Sequence, residues 1–561
     1  MSESTAPAQP PAAPAAVPGG SAQGTVRRLI VYSLLAVLVT VSAIGVAGLL
    51  ERLFDVAAPL VAGGTGDLAL SLAFTFIGGP LAAVLWWSVW RRLADPAERG
   101  SLAWGLYLTA VYTVSLVVAV SALTAAIGTL IDGRWAAAEL ATAIAWALVW
   151  VWHRWMLRHG RKSPVRMATV PLVLASAYGL LLGLSGAVAA LGALLDATIL
   201  GTSALAGEAW WRGPVESAVV LALGAGIWAW HWFRDRVRSL VTAFADVALV
   251  TVGVLVTAAV ALAGVGVALW VGLRLVFDRG ESVNSILDPL GTAIAGAAVG
   301  ALAWAYHRRI AAERSARTRR AARLVMSGLG LVAAASGIGV VLNATLAEVA
   351  APLAASDTRT LLLGGVSALV VGAPVWWLNW RPARRVDAAE VADTGRRVYL
   401  IVVFGISAVV ALVALLIVGY RIFEFVLDPT SAASLVDRVR APLGLLVATA
   451  LVFGYHFAVW RRDRAEIAAH GLAPVRRIGR IVLVAAGDTA PLERALEQST
   501  GASVTVWRAA PAEAVPVPGT AAVPMTPDAA AVVAALEGVT ARRALVLAGP
   551  GDRIEVVPLA E

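Results

Sequence analysis

Uncharged apolar runs longer than a bilayer is thick recur along this chain, and that constrains its fold more than any other feature. Leu29–Leu50, Leu102–Ile131 and Val398–Tyr420 contain no ionisable side chain other than tyrosine, and each is long enough to cross about 30 Å of hydrocarbon as a helix. With 59% hydrophobic and only 14% charged residues, the 561-residue chain does not read as three or four soluble domains. It reads as a polytopic membrane protein.

Twelve spans account for the apolar runs, at about 28–50, 68–90, 102–131, 135–156, 168–195, 214–233, 247–277, 286–306, 322–347, 359–380, 398–423 and 441–460. They form a two-helix unit written six times. The odd helix of each unit ends in an acid: Asp55, Asp132, Asp196, Asp278, Glu348 and Asp428. The even helix ends in an aromatic cluster followed by Arg: Trp86–Arg91, Trp150–Arg154, Trp228–Arg234, Trp304–Arg309, Trp376–Arg381 and Phe453–Arg462. The units cover about 26–100, 101–165, 166–240, 241–320, 321–395 and 396–465. A period of this kind marks a repeat architecture. Two helices return the chain to its starting side, so the units are expected to run parallel. The pattern leaves open whether they pair into three four-helix bundles or form one ring.

Charge orients the chain. Loops on the N-terminal side hold 31 basic and 11 acidic residues, against 9 and 16 on the other side. Arginine flanking a span resists translocation and meets anionic headgroups, which places both termini in the cytoplasm. The net charge of +9 is therefore spent on lipid, and no nucleic-acid partner is expected. The absence of cysteine removes disulfides and thiolate chemistry. Residues 1–25, rich in Ala, Pro, Gly and Ser, lack a signal-peptide pattern and read as a flexible cytoplasmic leader.

Beyond Arg464 the composition becomes that of a small soluble domain. Strands over Arg480–Ala486, Ala502–Arg508, Ala544–Leu547 and Arg553–Val557 alternate with helices over Ala490–Ser499 and Asp528–Glu537. Asp488 and Thr489 are candidate N-caps, and Gly549-Pro550-Gly551-Asp552 is a candidate hairpin turn. A cytoplasmic α/β domain over 475–561 is expected, available to a protein partner.

Two constellations carry whatever chemistry there is. His153, His231, His307 and His456 occupy one place in the inward clusters, where Asn379 and Val89 stand in the other two copies. Trp and Tyr suit the water–hydrocarbon boundary and the following Arg can reach headgroups, so anchoring is the simplest reading. Imidazoles at one depth also allow haem, a metal or a proton relay. No carboxylate is read as orienting the rings, and neither cofactor nor metal is expected. The six outward acids oppose the dipole of the helix they end. They read as interfacial marks near Arg52, Arg134, Arg212 or Arg274, with a cation-attracting vestibule as the alternative. Within the hydrocarbon, Asn343 is the clearest polar residue and is expected to bond between helices. Arg421 and Glu424 suit an i, i+3 pair. Glycines such as Gly179, Gly183 and Gly186 are expected to pack helices closely. Walker A, His-Glu-x-x-His, Gly-x-Ser-x-Gly and kinase motifs are absent, so no catalytic residue is assigned and the chain is expected not to be an enzyme.

The run Arg27-Arg28-Leu29-Ile30-Val31-Tyr32, its echo Arg396-Arg397-Val398-Tyr399-Leu400, and the Leu-Leu-Asp and Trp-x-Trp-His-Arg helix ends resemble a bacterial family of multi-pass membrane proteins known only as a domain of unknown function. The resemblance covers about residues 26–465. It implies architecture and a bacterial cytoplasmic membrane, and no activity. The expectation is thus a non-enzymatic scaffold or sensor with a partner-binding tail. A transporter or channel along the repeat axis, and a haem or metal protein, are the alternatives.

Overall fold

The computed structural model describes residues 20–55, 65–201, 209–278, 280–350, 355–384, 391, 393–427, 434–469, 478–486, 489–509, 528–536, 539, 541–549 and 553–559. The acid Asp428 and the N-cap candidate Asp488 lie outside them, as do Pro550, Gly551 and Asp552.

Among the described residues twelve long helical segments follow one another: α1 Gly20–Phe54, α2 Thr65–Arg92, α3 Leu102–Ile131, α4 Ala137–Arg158, α5 Val170–Ile199 and α6 Arg212–Arg234, then α7 Ala243–Phe277, α8 Val283–Glu313, α9 Ala316–Ala350, α10 Ala355–Arg384, α11 Thr394–Leu427 and α12 Leu435–Ala469. Eleven are long and apolar enough to cross a membrane. The exception is α4, whose 22 residues include Glu139, Trp146, Trp150, Trp152, His153, Arg154, Trp155 and Arg158. Helix α1 begins at Gly20, so the last residues of the segment read as a flexible leader are helical. Pro80 follows a π-helical turn over Phe74–Gly78, which absorbs the backbone donor that proline lacks. Pro442 lies within α12.

By contacts the chain divides into two compact units, one of Met1–Arg384 with Val403–Phe453, the other of Arg385–Val402 with Gly454–Glu561. In the first, packing is densest between consecutive helices: α9 with α10, α5 with α6, α7 with α8 and α3 with α4. The first helix of four also packs on the fourth, as α1 does on α4 and α5 on α8, and as α9 does on α12 where Gly339 meets Gly444. Glycine makes these approaches possible. A Cβ at Gly179, Gly183 or Gly186 would strike the backbone of α6, and one at Gly330 or Gly337 would strike α10. Lipid supplies no hydrophobic drive between helices, so backbone proximity is a main source of attraction. Gly272, by contrast, faces open space.

In the second unit, β1 Arg480–Ala485, β2 Ser503–Arg508, β3 Arg543–Ala548 and β4 Ile554–Leu559 form a sheet in the order β2-β1-β3-β4. Strand β1 runs parallel to β2 and β3, and β3 pairs antiparallel with β4. Alternate residues Ile481, Leu483, Ala544 and Val546 bury one face with Leu492 and Leu496 of α13 Ala490–Thr500 and Val532 of α14 Ala529–Ala534. Thr489 precedes α13 but its side chain makes no capping bond. The Gly549 N–H donates to the Arg553 carbonyl at 2.8 Å, closing the expected hairpin.

Candidate functional site

An α-helix turns 100° per residue, so the aromatic–His–Arg run cannot keep to one face. In α4, Trp152 and Trp155 are exposed, whereas His153 is 1% exposed. His231, His307 and His456 are equally buried. Exposed Trp152, Trp155, Trp230 and Trp377 suit the lipid boundary. The histidines between them do not; they belong to the interior.

Each imidazole is held locally. The Nδ1 atoms of His153, His231 and His307 lie 2.7–2.8 Å from the carbonyls of Val149, Ile227 and Ala303. Because a carbonyl only accepts, Nδ1 carries the proton and Nε2 is the acceptor. Asn379 does the same work in α10, its amide donating to the Val375 carbonyl at 2.8 Å. The Tyr107 hydroxyl stands 3.0 Å from His153 Nε2, and the Tyr112 hydroxyl 2.8 Å from His231 Nε2. Both ring nitrogens are thereby engaged at His153 and His231, which leaves neither to ligate a metal or haem. Among the described residues, no group of three or more His, Cys, Asp or Glu is placed to hold a metal ion.

An ion-pair cluster missed by sequence reasoning surrounds His231. Asp235, four residues on, lies 3.9 Å from His231 Nε2 and is 2% exposed in its side chain. Arg154 of α4 donates to both carboxylate oxygens at 3.1 and 3.2 Å, and Arg158 donates to Oδ1 as well. The Arg154 guanidinium is flanked by Trp150 and Trp230 at 5.6 and 5.3 Å. The i, i+4 spacing of His231 and Asp235 was the available signal: a carboxylate does follow this histidine, but it answers Arg154 and Arg158, while the ring is oriented by Tyr112 and the Ile227 carbonyl.

Similar inward pairs close other helix ends. Glu98 accepts from Arg28 at 2.8 Å and from Tyr32 at 2.9 Å, Asp246 accepts from Arg314, and Arg396 meets Asp463 at 2.7 Å. Toward the opposite helix ends, Arg440 donates to Asn343 at 3.1 Å, a bond between helices, and Arg421 meets Glu424 at 2.8 Å.

The outward acids do not share one place. Asp132 faces Arg134 at 3.2 Å and Arg212, at the start of α6, at 3.8 Å. Asp196 abuts Gly291 in α8 so closely that a side chain at 291 would collide with its carboxylate. Asp278, 4% exposed, accepts from Thr360 of α10 at 3.2 Å and lies 3.5 Å from Arg274. Asp55 and Glu348 are exposed. For Asp132 and Asp196 this answers the dipole problem: each meets the first turn of an even-numbered helical segment, beginning at Arg212 and at Leu290, whose positive N-terminus favours the carboxylate that its own helix opposes. The burial contrast sets an expected order. Asp132→Ala should cost under about 1 kcal/mol, and Asp278→Ala about 1–3 kcal/mol, by leaving the buried Arg274 with Glu281 as its remaining carboxylate and the Thr360 hydroxyl without its acceptor. Unfolding in mild detergent would measure both, and equal losses would refute the assignment.

The chain matches the family model of a domain of unknown function (DUF5671) twice, over residues 28–152 and 320–455. Each match spans four helices, α1–α4 and α9–α12, and each stops one residue before a buried histidine, His153 or His456. No curated protein and no solved structure matches the chain. Grouped in fours, the fourth helices α4, α8 and α12 all carry the histidine, while the second helices α2, α6 and α10 carry Val89, His231 and Asn379. The two positions lacking histidine are therefore both on second helices.

Proposed function

We propose that this is a multi-pass protein of the bacterial cytoplasmic membrane, without catalytic activity, in which three successive four-helix copies form a scaffold or sensor and the C-terminal sheet contacts a cytoplasmic protein. The observation that carries this is the sheet's second face. Helices α13 and α14 cover one side, whereas Val482, Val484, Leu545 and Leu547 alternate toward the other and remain partly exposed. Trp507 beside them is 61% exposed. A four-stranded sheet with two apolar faces and helices on one invites a partner for the other. Arg480 and Arg543, cross-strand neighbours at one end of that face, suit an apolar partner surface with an acidic rim.

The arginine asymmetry supports twelve crossings with both termini inside, α4 included. A transport pathway along the repeat axis draws no support from the outward acids, which engage separate helix starts. A photo-crosslinker at position 507 should capture a specific protein in intact cells, and Val484→Asp with Leu547→Asp should abolish that adduct. Equal capture from a control at Glu493, or an adduct unchanged by both substitutions, would defeat the proposal.

A further inference from the structure

The third helix of each group of four carries a second equivalent position. Its sixth residue is Tyr107 in α3, Ala248 in α7 and Tyr399 in α11. In the first group this tyrosine reaches the fourth-helix histidine, 3.0 Å from Tyr107 hydroxyl to His153 Nε2. In the third, the rings of Tyr399 and His456 lie 6.2 Å apart. The middle group has the histidine, but Ala248 rather than tyrosine at that position of α7. Beside His307 there is instead a cavity of about 30 Å³ lined by Ala248, Leu249, Gly253, Trp228 and Ser176. His307 Nε2 and Trp228 Nε1 are both buried without a hydrogen-bond partner, and their rings lie 6.0 Å apart.

We infer that this cavity is a binding site for a neutral hydroxylic molecule of the size of water, present beside His307 in the middle four-helix group and replaced beside His153 in the first by the hydroxyl of Tyr107. Three observations converge on that ligand. The volume accommodates water, which needs roughly 10–15 Å³, but is well short of the roughly 150 Å³ cavity that takes a benzene ring. The two unpaired groups are of opposite kind, since indole N–H only donates and Nε2 of a ring protonated at Nδ1 only accepts. One hydroxyl satisfies both. Leaving them bare would cost about 1–3 kcal/mol apiece. Glycine at 253 permits the arrangement, because a side chain there would stand 3.0 Å from Cδ2 of His307. The lining continues to Val237 and Arg314 in the inward connections, which gives solvent a route. His307 is thus the solvent-coupled counterpart of the tyrosine-capped His153.

Deuterium exchange at the imidazole C2 position, followed by mass spectrometry on the intact protein in nanodiscs, tests this directly. His307 should exchange several-fold faster than His153, and Ala248→Tyr should slow it to the His153 rate. Should Ala248→Tyr fail to fold, two smaller substitutions decide. A hydrated site is expected to lose melting temperature with Ala248→Val, which expels water and offers no hydroxyl, and to tolerate Ala248→Ser. A dry void would be stabilised by valine. Exchange at His307 as slow as at His153, or a higher melting temperature with valine than with serine, would overturn the site.

Discussion

Gly224→Leu is expected to destabilise the helical body more than any other single change considered. A side chain at 224 would strike the backbone of Leu182 and Gly183 in α5, and the reciprocal face of α6 is pressed against Gly179 and Gly186. Neither helix can yield without separating along the seam. Ordinary overpacking costs about 1–3 kcal/mol where side chains can move. Here backbone must move, so a loss beyond about 3 kcal/mol is expected, a large part of the 5–15 kcal/mol typical of a whole domain. Gly226, two residues on, has nothing within 4 Å of its would-be side chain, so Gly226→Leu serves as the control and should melt like the parent. Thermal unfolding in mild detergent compares them. A Gly224→Leu protein that melts with Gly226→Leu would show that the α5–α6 seam is not held by backbone proximity.

Asp235→Ala should produce the second largest effect, about 3–5 kcal/mol. Asp235 answers Arg154 through two bonds and Arg158 through a third, and its removal leaves the Arg154 guanidinium, 11% exposed in its side chain, without a counter-charge. Water screens Arg158, which is half exposed, so most of the loss comes from Arg154. Replacing the pair together, as Arg154→Met with Asp235→Leu, should recover most of that stability, since an ion pair is worth far less than the cost of breaking it one-sidedly. Denaturation of the single and double variants would show this. A single variant within about 1 kcal/mol of the parent would mean that the cluster is hydrated rather than buried.

How much of this was legible depended on the range of the interaction. Strands β1–β4 and their helices were readable because alternation and turn residues are local signals. Gly183 could be assigned to packing by type, but not to α6 in particular, since its partner Ala225 lies some 40 residues on. The Trp152-His153-Arg154 run looked like one boundary motif and is two, divided between lipid and interior by the helical turn. The outer acids looked paradoxical from their own helices alone. Only neighbours distant in sequence, such as Arg212 for Asp132 and Thr360 for Asp278, supply the compensating charge or donor. Asp235, local to His231, could have been found by checking i, i+4 spacing.

The sequence by itself determined a series of helices long and apolar enough to cross a membrane, their approximate positions, and the α/β order of the tail. Those follow from hydropathy, charge asymmetry and period, which act within a few turns of chain. Only the tertiary structure decided that α1 packs on α4 and α5 on α8, that the histidines are interior, and that Asp132, Asp196 and Asp278 meet different partners. Those outcomes depend on which residues meet across about 70–120 positions, as Arg28 meets Glu98 and Tyr112 meets His231. No local pattern encodes such a meeting, because within lipid it is settled by how closely two backbones can approach.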